Sequence, residues 1–197
     1  MSNLDFLNLY WETCDSVSSI RKSRHFLKLD ELLTEQISGI GIREDPISTR
    51  YKGTKRWDMH FPDKKVAIEY KTLSSFSKNG TSGGSLGKGL GNRLEEAIGS
   101  AFDLKQKDSN YRLGYLIVFV FRDEKSNYDS VVKRAIDVFD KLIEDGLYDF
   151  FCPLFTRGLN THGELSETYS FDRFIGDIRA VRIPESHTFP LYPTSPH

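Results

Sequence analysis

Two acids and a lysine fall in a pattern that could hold a metal ion and cleave a phosphodiester: Asp58, Glu69 and Lys71, within WDMHFPDKKVAIEYKT from Trp57 to Thr72. Trp57, Met59 and Phe61 alternate with Asp58 and His60, and Val66, Ile68 and Tyr70 alternate with Ala67, Glu69 and Lys71. That period of two predicts two half-buried strands joined by a tight turn. A turn centred on Asp63 and Lys64 sets Phe61 opposite Val66 and Asp58 opposite Glu69. Opposed side chains in a hairpin have Cβ atoms about 4.5–5.5 Å apart. Two carboxylates that close repel, and a divalent cation between them removes the penalty. Hard oxygen donors suit Mg²⁺, which keeps several waters and takes only one or two carboxylates, with Mn²⁺ as a substitute. Lys71 projects from the same face as Glu69, where an ammonium can orient a water or neutralise charge building on a phosphate. The bland alternative is a surface ion pair on an exposed sheet face.

The acid-x-Lys triplet by itself is a weak signal. Asp63-Lys64-Lys65 falls in the expected turn, and Asp123-Glu124-Lys125 falls just past an apolar run; neither has a hairpin partner. Only Asp58, Glu69 and Lys71 combine strand alternation, cross-strand register and a basic neighbourhood.

The elements that must position these residues are legible as changes of period. Residues 3–20 and 24–38 carry apolar residues at helical spacing, with Leu33 among them and Gly39 and Gly41 after. Ser74 to Gly91, rich in Gly and Ser, reads as a mobile surface loop. Asn92 can cap a following helix, with Glu95 three residues on, and Leu94, Ala97, Ile98, Ala101 and Leu104 as its apolar face. LGYLIVFVF (113–121) is continuously apolar, as expected of a central strand covered on both faces. Residues 128–144 predict another amphipathic helix, followed by Gly146, and 147–155 a strand interrupted by Pro153. The tail from Pro184 reads as irregular. The expectation is one α/β (α+β) domain over 1–197, a mixed β-sheet flanked by helices: N-terminal helices 3–39, a catalytic core 50–155 and an irregular tail.

Composition narrows the class. The 197 residues hold 27 Lys+Arg against 28 Asp+Glu, 13% aromatics and two cysteines. The chain can build a core, lacks an apolar run long enough to span a bilayer, and shows no basic, apolar leader at MSNLDFLNLYWE. With only Cys14 and Cys152, read as core residues, a reducing cytoplasm is expected. The near-zero net charge conceals a gradient: residues 50–112 hold 13 Lys/Arg and seven Asp/Glu, between acidic flanks. By charge alone such a segment can be a solvated surface whose charges mix on folding, and it is the triplet within it that leaves a polyanionic partner open.

The arrangement Asp58…Glu69-Tyr70-Lys71, preceded by a helix and followed by helix and strand, resembles the PD-(D/E)XK nuclease superfamily. Gly91 to Leu104 (GNRLEEAIGSAFDL), after EYK and a Gly-rich stretch, is similar to the corresponding stretch of the XhoI family of type II restriction endonucleases. The local match covers about 50 residues, from Trp57 to Leu104; Trp57 stands where the superfamily pattern has Pro. The resemblance implies a restriction-endonuclease-like core and a homodimeric, Mg²⁺-dependent enzyme that cuts double-stranded DNA at a short palindrome, with no organic cofactor and no membrane. Asp58 and Glu69 would be metal-binding carboxylates, joined by the main-chain carbonyl of Tyr70, and Lys71 the catalytic lysine. A structure-specific repair or recombination nuclease on the same core is the alternative.

Glu35, or Glu31 one turn earlier, could add an accessory carboxylate, as could Glu95. Lys55 and Arg56 lead into the first strand; Lys78, Lys88, Asn92 and Arg93 lie in or after the Gly-rich stretch, where phosphate contacts would position DNA. Arg157, Asn160 and His162, in the polar run TRGLNTHGE, could read base edges. His60 shares Asp58's face and is expected to be a hydrogen-bonded bystander.

Overall fold

The computed structural model describes residues 31, 33–36, 57–74, 86–121, 128–157, 161–162 and 169–182. Among these residues the sheet has five strands in sequential order, β1 (Met59–Phe61), β2 (Val66–Ser74), β3 (Arg112–Phe121), β4 (Phe150–Arg157) and β5 (Thr161–His162). β1 pairs antiparallel with β2, β2 and β3 pair parallel, β3 and β4 pair parallel, and β5 closes antiparallel on β4. The parallel steps are bridged by helices α1 (Leu86–Lys107) and α2 (Tyr128–Glu144); α3 (Phe171–Ala180) follows β5. This is the mixed α/β sheet with flanking helices that the sequence predicts.

Both crossovers step across the sheet in one direction, and right-handed crossovers in one direction place their helices on one face. α1 and α2 accordingly share a cluster with Ala67, Leu73, Leu113, Tyr115, Ile117 and Phe119. On the opposite face, α3 and Leu33 pack with Met59, Phe61, Val66, Ile68, Tyr70, Leu116 and Val118. β3 supplies both clusters, which is why its run carries no polar alternation. The expected register holds, since Met59 pairs with Ile68, His60 with Ala67 and Phe61 with Val66.

Several expectations need correction. Helix α1 begins at Leu86, so the Gly-rich stretch does not extend to Gly91, and Asn92 and Glu95 are helix-interior residues with no capping box. Glycine disfavours a helix by about 1 kcal/mol per residue, but Leu90, Leu94, Ala97, Ala101 and Leu104 line a fully apolar seam against the sheet, and their burial outweighs it. Ile98, expected on that seam, is 40% exposed. Pro153 does not interrupt β4: it pairs in register with Ile117, and among the described residues β5 borders β4 at Thr156 and Arg157, away from Pro153. α3 was not expected; Phe171, Phe174, Ile175 and Ile178 form its buried stripe, and the Ser170 hydroxyl caps it by accepting from the Arg173 N–H.

Helix α2 matches its expected bounds and ends through Gly146, at φ +70, with Leu147 N–H donating to Leu142 O and Gly146 N–H to Ile143 O. Residues 31 and 33–36 are helical, within the expected 24–38. The helix expected at 3–20, Cys14, Asp123 to Lys125 and the tail from Pro184 lie outside the described residues. No described helix is long and apolar enough to cross a membrane.

Candidate active site

The site is built on the β1–β2 hairpin. Pro62 opens its turn with a fixed φ, Lys65 closes it in the left-handed region at φ 51, and the Lys65 N–H donates to Pro62 O at 3.1 Å. The turn is tied down from outside: Arg112 N–H donates to Lys65 O, Lys65 Nζ pairs with Asp108 at 2.8 Å, and Lys64 Nζ donates to Val181 O at 3.0 Å. With its turn pinned, the hairpin pairs in one register as far as Met59 and Ile68, and Asp58 and Glu69 are the residues just beyond that last pair.

At that end the backbone pairing of β1 stops at Met59, and the Asp58 side chain takes over. Its Oδ2 accepts the Tyr70 N–H at 2.9 Å and the Lys71 ammonium at 3.1 Å. The same ammonium lies 3.0 Å from Glu69 Oε1. The Glu69 side chain is 2% exposed, Lys71 17% and Asp58 27%, so the three are graded from the interior outward. In a strand, the N–H and C=O of one residue leave by the same edge; the Tyr70 carbonyl therefore opens on the edge where Asp58 stands.

Burial raises the Asp58 carboxyl above its ordinary 3.8, against the opposing pull of Lys71 and the Tyr70 N–H; Glu69's charge adds to the rise. For Lys71, burial pulls the ammonium down, but Glu69 and Asp58 outweigh it and leave it raised above 10.5. Among the described residues, the two carboxylates share the Lys71 ammonium. Among the described residues no set of three or more His, Cys, Asp or Glu side chains is gathered for a metal. Two carboxylates and a carbonyl edge are a donor set that fits Mg²⁺, a hard ion that retains waters, and does not fit zinc, which takes four close ligands. The Lys71 ammonium already shows that this pair holds a cation.

The expected hairpin anchors are all buried: Trp57 is 3% exposed, Met59 1%, Ile68 0% and Tyr70 4%. Trp57 departs from the alternation by packing with the α1–α2 cluster, because it precedes β1 and is free of the pleat. His60 is buried, and its Nε2 pairs with the Tyr111 hydroxyl at 2.8 Å, which fits a bystander. Cys152 is a buried core thiol, pushed up by desolvation.

The accessory positions are spread more widely than the triplet. Glu31 and Glu35 are exposed on a helical segment whose Leu33 packs on the face opposite Glu69. Glu95 is exposed on α1. Asn92 and Arg93 stand on α1 and not in a loop; Asn92 is exposed, and Arg93 pairs with Glu96 at 2.7 Å. Lys88 also lies within α1. Arg157 and His162 belong to the paired strands β4 and β5, where Thr156 faces His162 and Arg157 faces Thr161. Lys55, Arg56, Lys78 and Asn160 lie outside the described residues.

Folding also redistributes the basic segment. Lys105 and Arg112 both pair with Asp149, an acid from the acidic C-terminal flank, and Lys65 pairs with Asp108. Part of the positive surplus between residues 50 and 112 is therefore spent on structural ion pairs.

Sequence reasoning missed the neighbours beneath the triplet. In β3, Tyr115 is in direct register with Glu69, and the charges of Glu69, Arg93, Glu96 and Asp58 all reach its phenol. The Arg93–Glu96 spacing of three was a readable helical pair; the pairing of Tyr115 with Glu69 carried no local signal, since parallel partners are chosen across a crossover. A cleft of about 240 Å³ lies elsewhere, between α2 and α3, lined by Asp140, Glu144, Asp149, Tyr169, Arg173 and Asp177 among others, and none of Asp58, Glu69 and Lys71 borders it.

Compared with known proteins, the chain matches no family model, no curated protein and no solved structure.

Proposed function

We propose that the chain is a Mg²⁺-dependent endonuclease of the type II restriction class, hydrolysing phosphodiester bonds of double-stranded DNA at a short palindrome and acting as a homodimer on a PD-(D/E)XK core. The observation that carries this reading is the Lys71 ammonium, held 3.1 Å from Asp58 Oδ2 and 3.0 Å from Glu69 Oε1 on facing positions of one hairpin. The order of hairpin, helix α1 and parallel strand β3 is the order that the superfamily resemblance implies.

In this reading Asp58 and Glu69 hold Mg²⁺, with the Tyr70 carbonyl at the same edge. When bound, the ion supplies Lewis-acid polarisation of a phosphate oxygen and a lowered pKa for water. Asp58 must give up its Lys71 hydrogen bond to serve, and the Tyr70 N–H keeps its carboxylate oriented meanwhile. Lys71, on the same strand as Glu69, is then placed to orient the attacking water at Nζ and to offset charge on the phosphate. The products carry 5′-phosphate and 3′-hydroxyl ends. Because the two strands of a palindrome are equivalent, a two-fold dimer brings one site to each.

The test is digestion of sequenced plasmids by the purified chain with Mg²⁺. Discrete fragments are expected, abolished by Lys71→Ala while DNA binding survives. A smear, a preference for branched junctions over linear duplex, or no cleavage of DNA rich in short palindromes would overturn the restriction reading.

A further inference from the structure

Tyr115 is 1% exposed, and its ring is fixed on two sides: it stacks on Phe139 at a centroid distance of 4.7 Å and meets Tyr148 edge-on at 5.9 Å. Neither the ring nor its hydroxyl can swing to solvent. The neighbouring Tyr148 hydroxyl is satisfied, donating to Ala97 O at 3.1 Å. The Tyr115 hydroxyl is buried with no hydrogen-bond partner among the described residues. A buried hydroxyl left unpaired is costly, so a native structure that keeps one in a fixed ring invites a functional account.

Its position supplies the account. β2 and β3 run parallel with Glu69 and Tyr115 in register, so the two side chains leave the same face of adjacent strands, about 4.8 Å apart at the backbone. We infer that Tyr115 is a positioning residue for Glu69, its hydroxyl reserved for the carboxylate, directly or through one water, when Lys71 withdraws and a divalent cation takes the ammonium's place. Carboxylates that bind metals are oriented by a second layer of hydrogen bonds, whose loss typically costs 10–100-fold in metal affinity or activity. The inference rests on the metal-carboxylate reading of Asp58 and Glu69.

The test is calorimetric titration of Mg²⁺ and Mn²⁺ into the full chain and into Tyr115→Phe, which keeps the ring and its stacking, with cleavage rates recorded across metal concentration. The expected result is metal binding weakened 10–100-fold, a matching rise in the metal concentration needed for half-maximal cleavage, and a near-normal maximal rate at saturation. The metal-free melting temperature should be unchanged or higher, which separates positioning from packing. Equal metal affinity in wild type and Tyr115→Phe overturns this inference alone. Absence of metal binding in the wild type overturns the reading of the site and this inference with it.

Discussion

The Tyr70 main-chain N–H donates to Asp58 Oδ2 at 2.9 Å, so one carboxylate both extends the hairpin past its last ladder pair and faces the Lys71 ammonium. Structure and chemistry share an atom there, and substitutions at Asp58 have to be chosen to separate them.

Asp58→Asn keeps an acceptor for the Tyr70 N–H and removes the charge. Burial already disfavours that charge, so stability should change by no more than about 1 kcal/mol. Mg²⁺ binding and DNA cleavage should be lost. Thermal melting alongside calorimetric metal titration checks both halves; a variant that unfolds outright would place Asp58 among structural residues.

Lys71→Met removes the ammonium that Asp58 and Glu69 share. Removing one partner from a buried charged set costs about 3 kcal/mol or more, and Mg²⁺ should restore more stability to this variant than to wild type, because it replaces the missing charge. Melting curves with and without Mg²⁺ measure the difference. Equal Mg²⁺ responses would mean that the ion does not occupy the ammonium's place.

Asp149 gathers three donors: the Leu113 N–H at 2.9 Å, Lys105 at 3.3 Å and Arg112. Its side chain is 11% exposed, so Asp149→Ala strands a backbone N–H and an ammonium in a half-closed setting. Urea denaturation should show a loss of about 2 kcal/mol, with Asp149→Asn recovering part of it through the Leu113 N–H.

Asp108 supplies a pH test away from the site. The Lys65 hydrogen bond first, and the Asn110 N–H next, hold its carboxyl below the ordinary 3.8. A carboxyl depressed in the fold stabilises it above the unfolded value, and that stability is lost as pH falls through the folded one. Lys65→Met should therefore cost about 0.5 kcal/mol at pH 6, and the gap from wild type should close as pH drops below 3.8. Unfolding curves at pH 6 and pH 3 provide the comparison.

What could be read from the sequence divides by the range of the interaction that decides it. The hairpin register followed from alternation and a four-residue turn, so Asp58, Glu69 and Lys71 met as expected. β3 and α2 were equally plain, because their patterns are long and unmixed. The start of α1 was misread because glycines signalled a loop locally, while the Leu90 to Leu104 seam that holds the helix is satisfied only against the sheet. The α3 stripe at Phe171, Phe174, Ile175 and Ile178 was legible from its spacing and went unread. Tyr115 beside Glu69 was beyond reach of any local rule, since 46 residues and a helix separate them.

That separation orders events in time. Asp58 lies 12 residues from Tyr70 and 13 from Lys71, within one hairpin, and hairpins close in about 1–10 μs. Tyr115 joins only after α1 has carried the chain across to β3, a slower, non-local step. The two acids therefore come together early, while still hydrated, and the ammonium that offsets their repulsion travels on the same strand. β3 arrives last, placing Tyr115 in register with Glu69.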